Sequence, residues 1–186
     1  YEQVLKLVVV RMGIDEHCVV RNSTNLGIAQ SLNKLLELSS SKYVFRMDSD
    51  DIMHPMRVEL QLDYFSQLSD NVAVLGSNIT TSLNYQTRHP EEVTKDLLLS
   101  SPGFWVVNHP TVCFRGDIIR KLKYPVADPK FPEDILCWYH ILDHGYRIKN
   151  IPQCLLYYRE HAGNNNKNLI KPSAVELVDL YNSLKL

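Results

Sequence analysis

The sequence predicts an α/β domain with a mostly parallel central sheet flanked by helices. Three observations carry that prediction. Apolar, β-rich segments alternate with helical patterns through the first half of the chain, an order that builds parallel sheets. The 186 residues are 45% hydrophobic and 22% charged, which suits one soluble globular domain with a proper core. No linker-like stretch divides the chain, so residues 1–186 are expected to form a single domain, with 1–82 and 83–186 as its halves.

The elements follow in order. LKLVVV (Leu5–Val10) is continuous, apolar and β-rich, and reads as a buried strand. Arg11–Thr24 is polar and irregular. NLGIAQSLNKLLEL then opens a helix with Ile28, Leu32, Leu35 and Leu36 spaced along one face. YVFRM (Tyr43–Met47) is the next strand, and PMRVELQLDYFSQL a helix with Pro55 near its first turn. VAVLG (Val72–Gly76) is a third strand. In the second half the pattern predicts a helix over Val93–Leu99, a short strand at TVCFR and a helix over PEDILCWYHILDHG ended by Gly145. RIKNIP and CLLYYREH read as separate extended segments, and PSAVELVDLYNSLKL as a terminal helix. The Asn164–Asn166 run reads as a loop.

Composition removes several classes of function. A formal net charge of −1 leaves no excess of Lys and Arg to neutralise phosphates, which argues against nucleic acid as a partner. No run approaches the roughly 20 apolar residues of a membrane span. Cys18, Cys113, Cys137 and Cys154 are scattered without a CxxC pair. They read as free, mostly buried thiols in a reducing compartment rather than a zinc or disulfide framework.

The chemistry begins where YVFRM runs into Asp48, Asp50 and Asp51. In an α/β sheet, ligands sit at the carboxyl ends of parallel strands. Residues two apart in an extended segment project to the same side, so Asp48 and Asp50 would share a site. Like charges so placed repel unless a cation joins them. Mg²⁺ or Mn²⁺, held by one or two carboxylates and by substrate phosphates, meets that need. Asp51 alone could equally serve the helix that opens at Pro55. An EF-hand beginning at Asp48 is excluded, because Ile52 and Met53 occupy a ligand position and the glycine position. A phosphatase with Asp48 as nucleophile and Asp50 as its acid–base partner remains an alternative.

A second acidic pair, Glu133 and Asp134, stands at the start of a helix, where the dipole favours ionised carboxylates. Alone it reads as helix-start charge; beside the first cluster it offers a carboxylate to take a proton from an incoming hydroxyl. Trp138, one turn later, suits either core packing or the face of a sugar ring. Arg159 suits bidentate phosphate contact, and His161 a metal or phosphate oxygen.

Together these stretches resemble family 2 glycosyltransferases of the bacterial exopolysaccharide and O-antigen type, with the GT-A nucleotide-sugar-binding fold. The resemblance rests on N-L-G-I-A-x-x-L-N (Asn25–Asn33) and R-M-D-S-D-D-I-x-x-P-x-R (Arg46–Arg57). It continues through N-H-P-T-V-x-F-R (Asn108–Arg115), P-E-D-x-x-x-W (Pro132–Trp138) and L-L-Y-Y-R-x-H (Leu155–His161). It implies that Asp48 and Asp50 form a DxD motif, with Asp50 the principal ligand of Mn²⁺ or Mg²⁺ and Asp48 nearer the nucleotide or donor sugar. Asp134 would be the base of an inverting transfer, with Glu133 close to the acceptor. Asn25 and Gly27 would border the nucleotide, and Arg159 and His161 would lie near the diphosphate, with His161 a further metal ligand. His109 matches the pattern without an assigned role. The implied partners are a nucleoside-diphosphate sugar, a UDP-sugar first, and a glycan or lipid-linked acceptor, with the work done in the cytoplasm at the inner face of a membrane. A non-catalytic binding module of the same fold is the competing reading. Members of the family begin with a strand and helix carrying the nucleobase site. This sequence starts at Tyr1, just before the third expected strand, so a GT-A domain lacking its N-terminal part is expected, with LKLVVV as an exposed edge.

Overall fold

The computed structural model of the chain describes residues 5–7, 18–101, 105–128, 130–161 and 172–184. Its spine is a six-stranded sheet. Strand β5 (Val72–Thr81) is apolar and β-rich and is buried along nearly its whole length, because neighbours cover both of its edges and both of its faces. On one side it runs parallel to β8 (Arg147–Tyr158), in register from Val72 opposite Arg147 to Thr81 opposite Tyr158. On the other it runs antiparallel to β7 (Cys113–Arg115), which pairs antiparallel with β3 (Tyr43–Phe45) at the sheet edge. The short strands β4 (Ile52–Met53) and β6 (Glu92–Val93) both pair antiparallel with β8.

Three strands, β3, β5 and β8, therefore point the same way, as an α/β sheet requires. YVFRM and VAVLG run parallel to one another, with β7 lying antiparallel between them. RIKNIP and CLLYYREH are one strand rather than two. Pro152 lacks an N–H for the ladder, and the register with β5 slips there, between Ser77 opposite Ile151 and Asn78 opposite Cys154. The Asn78 side chain donates to the Pro152 carbonyl at 2.9 Å across the irregularity. In LKLVVV the described part, β1 (Leu5–Leu7), pairs with β2 (Cys18–Val20) in a separate two-stranded ribbon rather than in the main sheet. Val8–Val10 and Asn164–Asn166 lie outside the described residues.

Helices cover both faces of the sheet. On one, Val74, Phe114 and Ile148 pack with α1 (Gly27–Leu38), α3 (Lys95–Ser100), α4 (Gly116–Leu122), α5 (Glu133–Asp143) and α6 (Ala174–Ser183). On the other, Leu75, Cys113, Ile151 and Leu155 meet α2 (Arg57–Ser66) through Phe65. Successive residues Val74 and Leu75 serve opposite cores, the alternation of a strand buried on both faces. In α1 the predicted face buries Leu35 and Leu36 but leaves Ile28 exposed. Cys113, Cys137 and Cys154 are free thiols, the first two buried.

Candidate functional site

β3 ends at Phe45, and the chain turns through Asp48–Asp51, closed by the Asp51 N–H to the Asp48 carbonyl at 3.4 Å. Strand β8 reaches this turn because β4 pairs with its last residues, Ile52 opposite Tyr157 and Met53 opposite Leu156. The chain beyond β8 therefore arrives beside the acidic turn. His161 Nε2 lies 2.9 Å from Asp50 Oδ2, the Arg159 side chain donates to the Asp50 carbonyl, and the Arg159 backbone N–H donates to Asp51 Oδ1 at 3.1 Å. Residues separated by more than 100 positions thus form one cluster.

The three carboxylates have different surroundings. Asp48 is ion-paired with Arg46 at 2.6 Å, and Asp50 faces His161. Asp51 is 7% exposed and does not cap α2, whose N-cap is Met56. Burial pushes the Asp51 carboxyl up to about 6, and the nearby charges of Asp48 and Asp50 add to that rise. Its Oδ2 is buried and has no hydrogen-bond partner among the described residues.

Among the described residues no three His, Cys, Asp or Glu side chains converge as a complete metal cage. The chemistry of the donors nonetheless fits Mg²⁺ or Mn²⁺ of the kind that retains waters and phosphate oxygens and needs only one or two protein ligands. Asp50 and His161 stand within ligand distance of one another, and the orphaned Asp51 oxygen lies in the same turn.

The second acidic pair opens α5, with Pro132 at the N-cap. Burial raises both carboxyls, and the Arg46 guanidinium opposes the rise at each. Glu133 meets His109, which belongs to a 3₁₀ turn (His109–Thr111), at 3.3 Å from Nδ1. On its other nitrogen, Nε2, His109 contacts the Tyr124 hydroxyl at 2.9 Å. Burial lowers the imidazole to about 3, with the Arg46 charge adding to the drop. The ring is therefore neutral, and its 3.3 Å approach to Glu133 is a polar contact rather than an ion pair.

Arg46 is the link that sequence reading missed. Its charge acts on Asp51, His109, Glu133 and Asp134, so both acidic motifs face the region around it. The available signal was a lone arginine in an otherwise apolar strand leading into acids. Other expected site residues lie apart. Trp138 has no exposed surface; it stacks on Phe114 at 6.1 Å and meets His109 edge-on at 5.6 Å, so it serves the core rather than offering a face to a sugar. Asn25 accepts the Gly27 N–H at 3.0 Å in the turn before α1, where Gly27 has φ +75°. No hydrogen bond among the described residues joins that turn to either acidic cluster.

Residues 10–129 match the family model for glycosyl transferase family 2. The chain belongs to this family. Among curated relatives, the amylovoran biosynthesis glycosyltransferase AmsE of Erwinia amylovora is 32% identical, over 90% of this chain and 64% of its own length. The bifunctional glycosyltransferase pgtA of Dictyostelium discoideum is 31% identical, over 81% of this chain and 25% of its own. This family 2 chain thus spans a quarter to just under two thirds of these relatives' lengths. Among solved structures, S. aureus TarS 1–349 in complex with UDP-GlcNAc superposes with a TM-score of 0.55 at 16% identity, over 77% of this chain and 42% of that one. That likeness shows the fold, GT-A.

Proposed function

We propose that this family 2 chain carries the metal-dependent, inverting transfer of a sugar from a nucleoside-diphosphate sugar to a hydroxyl of a glycan or lipid-linked acceptor, in polysaccharide or glycan synthesis. The observation that carries the reading is the meeting of Asp50 with His161 at 2.9 Å, beside Arg159. Two motif blocks far apart in sequence thereby supply an anion-and-cation site suited to a metal-bound diphosphate. When bound there, Mn²⁺ or Mg²⁺ would offset charge on the departing diphosphate.

The remaining chemistry belongs to the chain's own residues. Asp134 takes the proton of the acceptor hydroxyl as its oxygen bonds to the anomeric carbon from the face opposite the leaving group. The bond from that carbon to the phosphate oxygen breaks, its electron pair leaves with the nucleoside diphosphate, and configuration inverts. Burial favours this role, because it raises Asp134 from its ordinary value and makes it a stronger base. In this reading residues 1–82 hold the nucleotide and metal, and 83–186 face the acceptor and return Arg159 and His161 to the donor side. A UDP-sugar is the first donor to test, since TarS has been solved with UDP-GlcNAc and with UDP. A lipid-linked acceptor would place the work at the cytoplasmic face of a membrane. No helix among the described residues is long and apolar enough to cross one.

The test is thermal stability with Mn²⁺ and a panel of nucleoside diphosphates. Ligand at about 100 times its dissociation constant should stabilise the fold by roughly 2.7 kcal/mol. The gain should require metal and one nucleotide together and disappear in Asp50→Ala. Asp134→Asn should keep that gain and lose transfer. Transfer by Asp134→Asn at the wild-type rate would remove the base from the scheme.

A further inference from the structure

We infer that His109, oriented by Tyr124 and through it by Asn33, is a positioning residue that fixes the Glu133 carboxylate beside Asp134. The inference deepens the proposed transfer reaction and rests on it for its catalytic consequence.

A continuous chain of polar contacts carries the inference. The Asn33 side chain, on α1, accepts the Tyr124 N–H at 2.8 Å and donates to the Tyr124 carbonyl at 2.9 Å. Both polar groups of the Tyr124 backbone are thus held by one amide. Directly before it, Lys123 adopts φ 60°, ψ 175°, a region that non-glycine residues occupy only when their surroundings impose it. The chain accepts that strain at the point where it turns Tyr124 inward, to 3% exposure. The Tyr124 hydroxyl then meets His109 Nε2, and His109 Nδ1 meets Glu133. The His109 turn is itself clamped, for Arg57 donates to the Pro110 carbonyl at 3.0 Å and Gln61 to the Thr111 carbonyl at 2.9 Å.

The direction of the bonds follows from chemistry. A neutral imidazole has one N–H donor and one bare nitrogen. Burial keeps the Tyr124 phenol protonated, and among the described residues Nε2 is the one hydrogen-bond partner its hydroxyl meets, so the O–H is assigned as donor to it. The proton of His109 then sits on Nδ1 and faces Glu133 at 3.3 Å, where the positive end of the N–H dipole favours the ionised carboxylate. An ionised Glu133 puts a like charge next to Asp134 and favours proton uptake there, as a general base requires. Arg46 opposes the effect at both carboxyls, and Asp48 is a further charge felt at His109. The three motif blocks that contain Asn33, His109 and Glu133 are thereby joined by polar contacts through Tyr124, a residue in none of them.

The experiment reads the His109 tautomer in the ¹⁵N-histidine-labelled chain by long-range ¹H–¹⁵N correlation, with His109→Asn assigning the resonance. Transfer kinetics are measured alongside for the wild type and Tyr124→Phe. A single Nδ1–H tautomer is expected in the wild type at pH 7, still neutral at pH 5. Tyr124→Phe should show mixed tautomers and a kcat about tenfold lower, roughly one hydrogen bond of transition-state stabilisation. The donor KM should change by less than about twofold, because the donor site is elsewhere. An Nε2–H tautomer or an imidazolium in the wild type overturns the inference, whether or not the variant folds. So does a Tyr124→Phe protein with unchanged tautomer and kcat. A wild type with the Nδ1–H tautomer that transfers no sugar from any UDP-sugar counts against the transfer reading and leaves the orientation of His109 toward Glu133 supported.

Discussion

Arg57 has no exposed surface, yet burial lowers its guanidinium only to about 10, so it stays charged at neutral pH. Its donors are spread over the Gln61 side chain and the carbonyls of Arg46, Pro110 and Val112, at 2.8–3.2 Å. One residue thus ties the strand that delivers the acidic turn to the turn that carries His109. Replacing it with Met would remove the donor to the Arg46 and Pro110 carbonyls, while the Val112 carbonyl keeps the Arg46 N–H at 3.0 Å, at a cost of about 3–5 kcal/mol. Arg57→Lys keeps the charge but loses the planar fork, and should still cost about 2 kcal/mol. Urea unfolding of both variants reads this directly. A Lys variant as stable as wild type would show that charge alone suffices. The arginine itself was visible as the last residue of the second motif block, but its role was not. Spacing along a chain does not reveal which carbonyls a side chain will meet after the sheet closes.

Among the elements, the short strands β2, in the stretch expected to be irregular, β4 and β6 were not read, and of the α-helices α4 is the one the sequence did not disclose. Its seven residues are too few to display a helical period, and only Gly116, Ile118 and Ile119 are buried. Both of its ends make testable demands. At the start, a methyl group on Gly116 would run into the Ser41 carbonyl oxygen, while the Gly116 N–H donates to the Lys42 carbonyl at 2.7 Å. Gly116→Ala should therefore destabilise by about 1–3 kcal/mol. At the end, Lys123→Gly should act the other way. It relieves about 1–3 kcal/mol of backbone strain, against about 0.5–1 kcal/mol of added unfolded-chain entropy. It also gives up the exposed Lys123–Glu37 pair, which solvent screens. A gain of up to about 2.5 kcal/mol in chemical denaturation is expected, and a loss for Lys123→Val. The long elements were legible because periodicity and breakers agreed, as in α5, which ends before Gly145 at φ +77°. Strand order was not, since apolar runs such as VAVLG and TVCFR carry no mark of their neighbours.

At the scale of the whole molecule, the candidate site was legible wherever a motif supplied both residue types and order. Asp50, Arg159 and His161 meet because β8 runs the length of β5 and carries the chain back to the acidic turn. The Tyr124 link was invisible, because nothing in a sequence distinguishes a tyrosine that orients a histidine from one that fills a core. A second buried histidine makes a similar link at the other end of α5. His140 Nδ1 meets the Tyr181 hydroxyl of α6 at 2.8 Å, and its Nε2 meets the Leu122 carbonyl at 3.2 Å. A carbonyl only accepts, so Nε2 carries the proton and Nδ1 accepts from Tyr181, an arrangement that needs a neutral ring. Burial and the neighbouring His144 lower the folded-state pKa of His140 below its ordinary 6.5, with Asp143 pulling the other way. The unfolded chain therefore takes up this proton first as pH falls. Stability from the link is complete above about pH 6.5 and declines below it, by up to about 1.4 kcal/mol per pH unit until the folded-state value is reached. Comparing wild type with His140→Gln isolates this group, because the other titrating residues are common to both. The wild-type advantage in urea unfolding should be larger at pH 7.5 than at pH 5.0. An equal advantage at both would mean that His140 titrates alike folded and unfolded, and that α6 is held by the burial of Leu177 and Tyr181 rather than by a neutral imidazole.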